Sequence, residues 1–78
     1  MLFITEKGSK YEAERWEKSR GSYVKDRDLC LSFVGGSSKG ISRAMVHTLY
    51  GSTLGELGHG MLDAIIDNLI EEGLVDEV

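Results

Sequence analysis

Residues 10–19 read KYEAERWEKS, and whether this stretch is a strand or a helix decides the fold. As a strand it is the second arm of a hairpin. The arms LFITEK and KYEAERWEKS flank Gly8-Ser9, a two-residue turn signal in which glycine supplies the unusual dihedral. Centred there, the pairing sets Lys7 opposite Lys10, Thr5 opposite Glu12, Ile4 opposite Ala13 and Phe3 opposite Glu14. As a helix, the stretch would be capped by Ser9, with Glu12 completing a capping box, and ended by Gly21. Its residues are good helix formers. Tyr11, Ala13 and Trp16 do not share one helical stripe, however, so the strand is the preferred reading.

Downstream, residues 23–34 read YVKDRDLCLSFV and alternate at their end. Leu29, Leu31 and Phe33 share one face of a strand, and Cys30, Ser32 and Val34 the other. The front half is thus expected to be a three-stranded antiparallel meander over about 2–7, 10–18 and 23–34. The back half changes period. Ile41, Ala44, Met45, Thr48 and Leu49 recur at helical spacing, with Ser37 or Ser38 as cap and Gly51 as stop. Leu62, Ile65, Ile66, Leu69 and Ile70 form a broad apolar face, and Gly73 followed by Leu74 reads as a Schellman ending. Two helices are expected, about 39–50 and 54–72, the second with a break near 58–60 as the alternative. The fold class is therefore α+β, one small domain over residues 1–78. The expected core is Phe3, Ile4, Ala13, Leu29, Leu31, Phe33, Ile41, Met45, Leu49, Leu57, Leu62, Ile65, Ile66 and Leu69.

Composition narrows the function classes. A chain of 78 residues builds a marginal core, and such domains often lean on a partner, a metal or a second copy. The single Cys30 excludes an internal disulfide and fits a reducing compartment, hence a cytoplasmic location. No secretory leader is read at MLFITEKG, and no run approaches the roughly 20 apolar residues of a membrane span. Charge is uneven. Residues 1–28 carry seven Lys/Arg and six acids, whereas residues 29–78 carry Lys39 and Arg43 against seven acids, for a net charge of −4. Phosphate contacts supply most nucleic-acid affinity, so an acidic domain is a poor default binder of DNA or RNA.

Two stretches resemble known families. FVGGSSKGISRAMVHTLYG, residues 33–51, resembles the first strand–loop–helix of short-chain dehydrogenases, whose glycines let the backbone approach a cofactor pyrophosphate. It departs at Lys39, inserted before Gly40, and at Ser42, where the last glycine would stand. The family's Tyr-x-x-x-Lys is absent from the chain. The loop is read as a strand-to-helix turn with no cofactor, and Ser37, Ser38 and Lys39 are kept as an anion-binding alternative. LDAIIDNLIEEGLVDEV, residues 62–78, resembles the end of the recognition helix in winged-helix regulators, where the helix runs into a wing strand. That resemblance implies a nucleic-acid reader. Base readout calls for Arg, Lys, Asn or Gln on the exposed face, and this helix offers His59, Asp63, Asp67 and Asn68, with no basic residue.

No catalytic or metal-ligating constellation stands out. His47 and His59 lie twelve residues apart with no paired ligand spacing, and Cys30 has no local activating partner. The expectation is a non-catalytic module that binds another protein, alone or as a homodimer. Very short acidic domains are common among phage and mobile-element regulators and inhibitors, which favours that class. Tyr11, Arg15, Trp16, Arg20 and Tyr23 form the expected contact patch, because Trp, Tyr and Arg dominate interface hot spots. Leu54, Met61, Ile70 and Leu74 are apolar positions beyond the needs of so small a sheet, open to a partner helix or a second copy.

Overall fold

The chain leaves its first strand after three residues and turns helical at once. In the computed structural model, which describes residues 1–19, 26–53 and 57–78, the elements run β1 (Leu2–Ile4), α1 (Glu6–Ser19), α2 (Asp26–Gly35), α3 (Arg43–Gly51), α4 (His59–Glu71) and β2 (Val75–Glu77). The three-stranded meander is therefore overturned. The described residues form four helices and two antiparallel strands and are mostly helical. Of the three expected strands, 2–7 keeps only Leu2–Ile4 as β1 and gives Glu6 and Lys7 to α1, 10–18 belongs to α1, and the described part of 23–34 belongs to α2.

Local chemistry explains the first error. Thr5, not Ser9, caps α1: its Oγ1 accepts the Gly8 N–H at 2.9 Å, the N-cap to N3 bond, and its carbonyl accepts the Ser9 N–H at 2.9 Å. Glu6 in the first turn suits the helix dipole. Among the described side chains of α1, the buried and half-buried ones are Gly8, Tyr11 and Glu12, at i, i+3 and i+4. Gly8 is where the helix lies against backbone, since a Cβ there would run into the Leu74 carbonyl and Ile4. What resembles a hairpin glycine in sequence is a glycine of close approach in the fold.

α2 shows the second ambiguity. A short apolar run cannot be assigned to strand or helix by periodicity alone. The structure buries Cys30, Leu31 and Val34, at i, i+1 and i+4, and leaves Leu29 and Phe33 half-buried. Asp26 and Asp28 occupy the first turn. Gly35 closes the helix against α1, where a Cβ would meet the Glu12 carboxylate. The loop after it joins helix to helix rather than strand to helix.

α3 starts at Arg43 instead of 39, with Ser42 as N-cap accepting the Met45 N–H at 3.1 Å. Ile41 falls outside the helix and bridges to β1: Leu2 N–H donates to the Ile41 carbonyl at 2.7 Å, and Ile41 N–H donates to the Leu2 carbonyl at 3.0 Å. That later start shifts the helical phase. Val46 and Tyr50 are buried, while Ala44, Met45 and Thr48 face out. Gly40 serves this junction with φ +92°, and the Phe3 ring passes 2.7 Å from where its Cβ would be.

α4 comes closest to expectation. The break near 58–60 is where it begins, capped by Gly58. Leu62, Ile66 and Leu69 are buried. Its end is the anticipated Schellman turn: Leu74 N–H reaches the Leu69 carbonyl and Gly73 N–H the Ile70 carbonyl, both at 3.0 Å, with Gly73 at φ +76°. The chain then enters β2, antiparallel to β1 in the register Leu2↔Glu77, Phe3↔Asp76 and Ile4↔Val75. β1 thus lies between β2 and the Ile41 bridge. Met1 and Val78 close the ladder with two reciprocal 2.9 Å bonds.

The core holds Leu2, Cys30, Leu31, Val34, Ile41, Val46, Tyr50, Leu62, Ile66, Leu69, Leu74 and Val75. Of the expected core, Ala13 and Met45 are exposed and the remaining positions are buried or half-buried. Leu2, Val75 and Leu74 join it because the two ends of the chain pair over the helices.

Candidate partner-binding site

Among the described residues, two concave surfaces flank this core. The first is a groove of about 300 Å³ between the chain start, the 36–42 loop and α3. Its apolar lining is Met1, Ile41, Met45 and Leu49, with Ser37, Gly40 and Ser42 as small residues along it. Met1 is 55% exposed and Met45 49% exposed, so two flexible apolar side chains stand in water beside one opening. The phase shift of α3 turns Met45 outward, and the Ile41 bridge sets the groove floor against β1.

The second is a polar cleft of about 330 Å³ lined by Lys7, Tyr11, Arg27, Asn68, Glu72 and Leu74, where α1, α2 and α4 meet. Arg27 organises it. Its Nη1 donates to the Tyr11 hydroxyl at 3.0 Å, its Nε to Asn68 Oδ1 at 3.1 Å, and its remaining arm pairs with the Glu72 carboxylate. The guanidinium also sits 5.5 Å from the Tyr11 ring centroid. Lys7 Nζ donates to the Glu72 main-chain carbonyl at 2.9 Å.

A third cluster is a charged clamp. Arg43 Nε and Nη2 grip Glu77 at 2.6 and 3.0 Å, and Nη2 also reaches Asp67 at 2.6 Å. Those hydrogen bonds, Glu77 before Asp67, push the Arg43 pKa further up, and the Arg43 hydrogen bond holds Glu77 below the usual carboxylate range. Asp63 lies 3.6 Å from Arg43 and 2.9 Å from His47 Nε2, and the His47 and His59 rings meet edge to face at 4.5 Å. Among the described residues no group of three or more His, Cys, Asp or Glu is placed to hold a metal ion. Cys30 is 0% exposed, and burial, then the Asp26 charge, pushes its thiol up to about 11, away from nucleophilic use at neutral pH.

The residues singled out in sequence distribute unevenly over these surfaces. Tyr11 is half-buried in the polar cleft. Arg20, Tyr23 and Leu54 lie outside the described residues, as do the side chains of Arg15 and Trp16. Met61 is 58% exposed, Ile70 packs half-buried on the core, and Leu74 is buried, so the latter two do not form an open helix face with Met61. Ser37 lines the apolar groove, and its hydroxyl donates to the Phe33 carbonyl at 3.1 Å. Ser38 and Lys39 are exposed. The N–H groups of Gly36, Ser37, Gly40 and Ile41 donate to the carbonyls of Ser32, Val34, Ser37 and Leu2. The loop leaves the carbonyl end of α2 and enters the N-terminus of α3.

Helix α4 does run into a strand, the order implied by the winged-helix resemblance, but that strand pairs with the chain start. Asp63 and Asp67 on α4 are tied to Arg43, which leaves this helix acidic and without a cation for phosphate. Among the described residues no helix is long and apolar enough to cross a membrane. Sequence reasoning placed Met45 in the core and so missed the groove. Comparison with family models, with characterised proteins and with solved structures returned no match.

Proposed function

We propose that this chain is a non-catalytic protein-binding module of the cytoplasm, acting as a regulator or inhibitor, that takes an apolar segment of another protein in the Met1–Ile41–Met45–Leu49 groove. The observation that carries the reading is the pair of half-exposed methionines at one opening. Unbranched thioether side chains re-pack around varied apolar surfaces, which suits a docking groove. Ser37, Gly40 and Ser42 keep the rim low enough for a backbone to approach. Lys39, exposed on the same loop, supplies a cation for a carboxylate flanking the docked segment.

The test compares the wild type with Met45→Glu and Met61→Glu in capture from the native host, followed by mass measurement of the complex. Both methionines are exposed, so neither change should unfold the chain, which thermal melts verify. Loss of the captured partner in Met45→Glu alone supports the groove. Retention by Met45→Glu sinks it. A complex of two 8.6 kDa chains would make the partner a second copy of this one.

A further inference from the structure

We propose that the cleft between α1, α2 and α4 binds a small oxyanion, a carboxylate or phosphate carried on a small molecule, separately from the apolar groove. The argument is a surplus of donors. Arg27 fixes the walls through Tyr11, Asn68 and Glu72, and in doing so it neutralises the Glu72 carboxylate that lines the cleft. Lys7 makes one hydrogen bond, to the Glu72 carbonyl, whereas an ammonium carries three donors. Asn68 uses its carbonyl oxygen on Arg27, which leaves the two N–H donors of its amide. Among the described residues the lining charges are Lys7 and Arg27 against Glu72, a net of +1. Open donors around a positive, partly enclosed space with the buried Leu74 as apolar wall match an oxyanion on a compact organic body. At about 330 Å³ the cleft is at the small end of ligand pockets.

The carbonyl end of α4 lies here, and an uncapped helix end would repel an anion. This one is capped. The carbonyls of Asn68, Leu69 and Ile70 accept from Glu72, Leu74 and Gly73, that of Glu72 accepts from Lys7, and that of Gly73 accepts the Thr5 hydroxyl at 2.6 Å. The negative pole is thereby occupied before any ligand arrives.

The experiment is an NMR titration of the ¹⁵N-labelled chain with sodium phosphate and, separately, sodium acetate, each against sodium chloride at equal ionic strength. Saturable shifts confined to Lys7, Arg27 and Asn68 are expected, with half-saturation in the millimolar range or tighter. The stronger of the two probes identifies the oxyanion. Asn68→Asp keeps an acceptor for Arg27, and so the wall, but exchanges the donors for a negative charge; binding should vanish with the melting temperature held or raised. Lys7→Gln should weaken binding about 10-fold or more, as expected for a lost charge-assisted bond. Shifts that chloride reproduces, no saturation at tens of millimolar, or binding that survives Asn68→Asp would each overturn the proposal.

Discussion

Gly8 carries more of this fold than its size suggests. It sits on the buried side of α1 with the Leu74 carbonyl where its side chain would be, so it sets how closely the first helix approaches the junction of α4 and β2. Alanine normally strengthens a helix interior by up to about 1 kcal/mol over glycine. Here backbone blocks it, and Gly8→Ala should instead cost about 1–3 kcal/mol in urea unfolding, the range for overpacking. Ser9→Ala, one residue on and exposed, should fall within about 0.5 kcal/mol of wild type. Equal effects would show that the contact is not what holds α1. Cys30 makes a prediction of the same grain. Its thiol is raised from 9.0 to about 11, chiefly by burial, so the folded chain holds a proton that the unfolded chain releases first. The resulting stability is complete below about pH 9 and is lost as pH rises through about 11, amounting to roughly 2–3 kcal/mol at most. Cys30→Ala should flatten that alkaline decline, and native thiol labelling at neutral pH should wait on unfolding.

At the scale of elements, Arg43 staples α3 to α4 and β2 at once. Glu77 is the partner whose pKa is depressed, so the clamp's contribution is present above the carboxylate's unfolded value and fades as pH falls through its lower folded one. Arg43→Met should remove this acid sensitivity. Melting temperatures of the two proteins should converge as pH falls below the ordinary carboxylate value of about 4.3. A constant gap through that fall would mean that the clamp does not act through charge. The elements also show where sequence carried structural information and where it did not. α4 was legible because Leu62, Ile66 and Leu69 repeat at helical spacing and Gly73-Leu74 ends the helix by local rules. α1 was not, since the described side chains it buries are a glycine, a tyrosine and a glutamate whose fit depends on Leu74 and Gly35, far along the chain. α3 was found but rotated. One tertiary bridge at Ile41 moved its start, and with it Met45 passed from expected core to groove wall. The polar cleft joins Lys7, Arg27 and Asn68 from three helices, a meeting that no local pattern announces.

For the molecule as a whole, the helices pack beneath a minimal sheet made from the first and last described residues, with principal extents of 28 × 27 × 21 Å. A domain of this size has a thin margin of stability, so long-range ties such as Thr5 to Gly73 and Lys7 to Glu72 matter more than in a larger core. Met1 sits at one corner of the apolar groove, and Val78 is hydrogen-bonded to it. An affinity handle or fluorophore fused to either end therefore emerges at the same place, beside the mouth of the surface whose occupancy it is meant to report. Immobilisation through either terminus would shield that mouth, and a negative binding result obtained that way would describe the tether. Attachment through the exposed side chain of Glu6, Glu14 or Glu71 instead leaves both ends, and the groove, open to solvent.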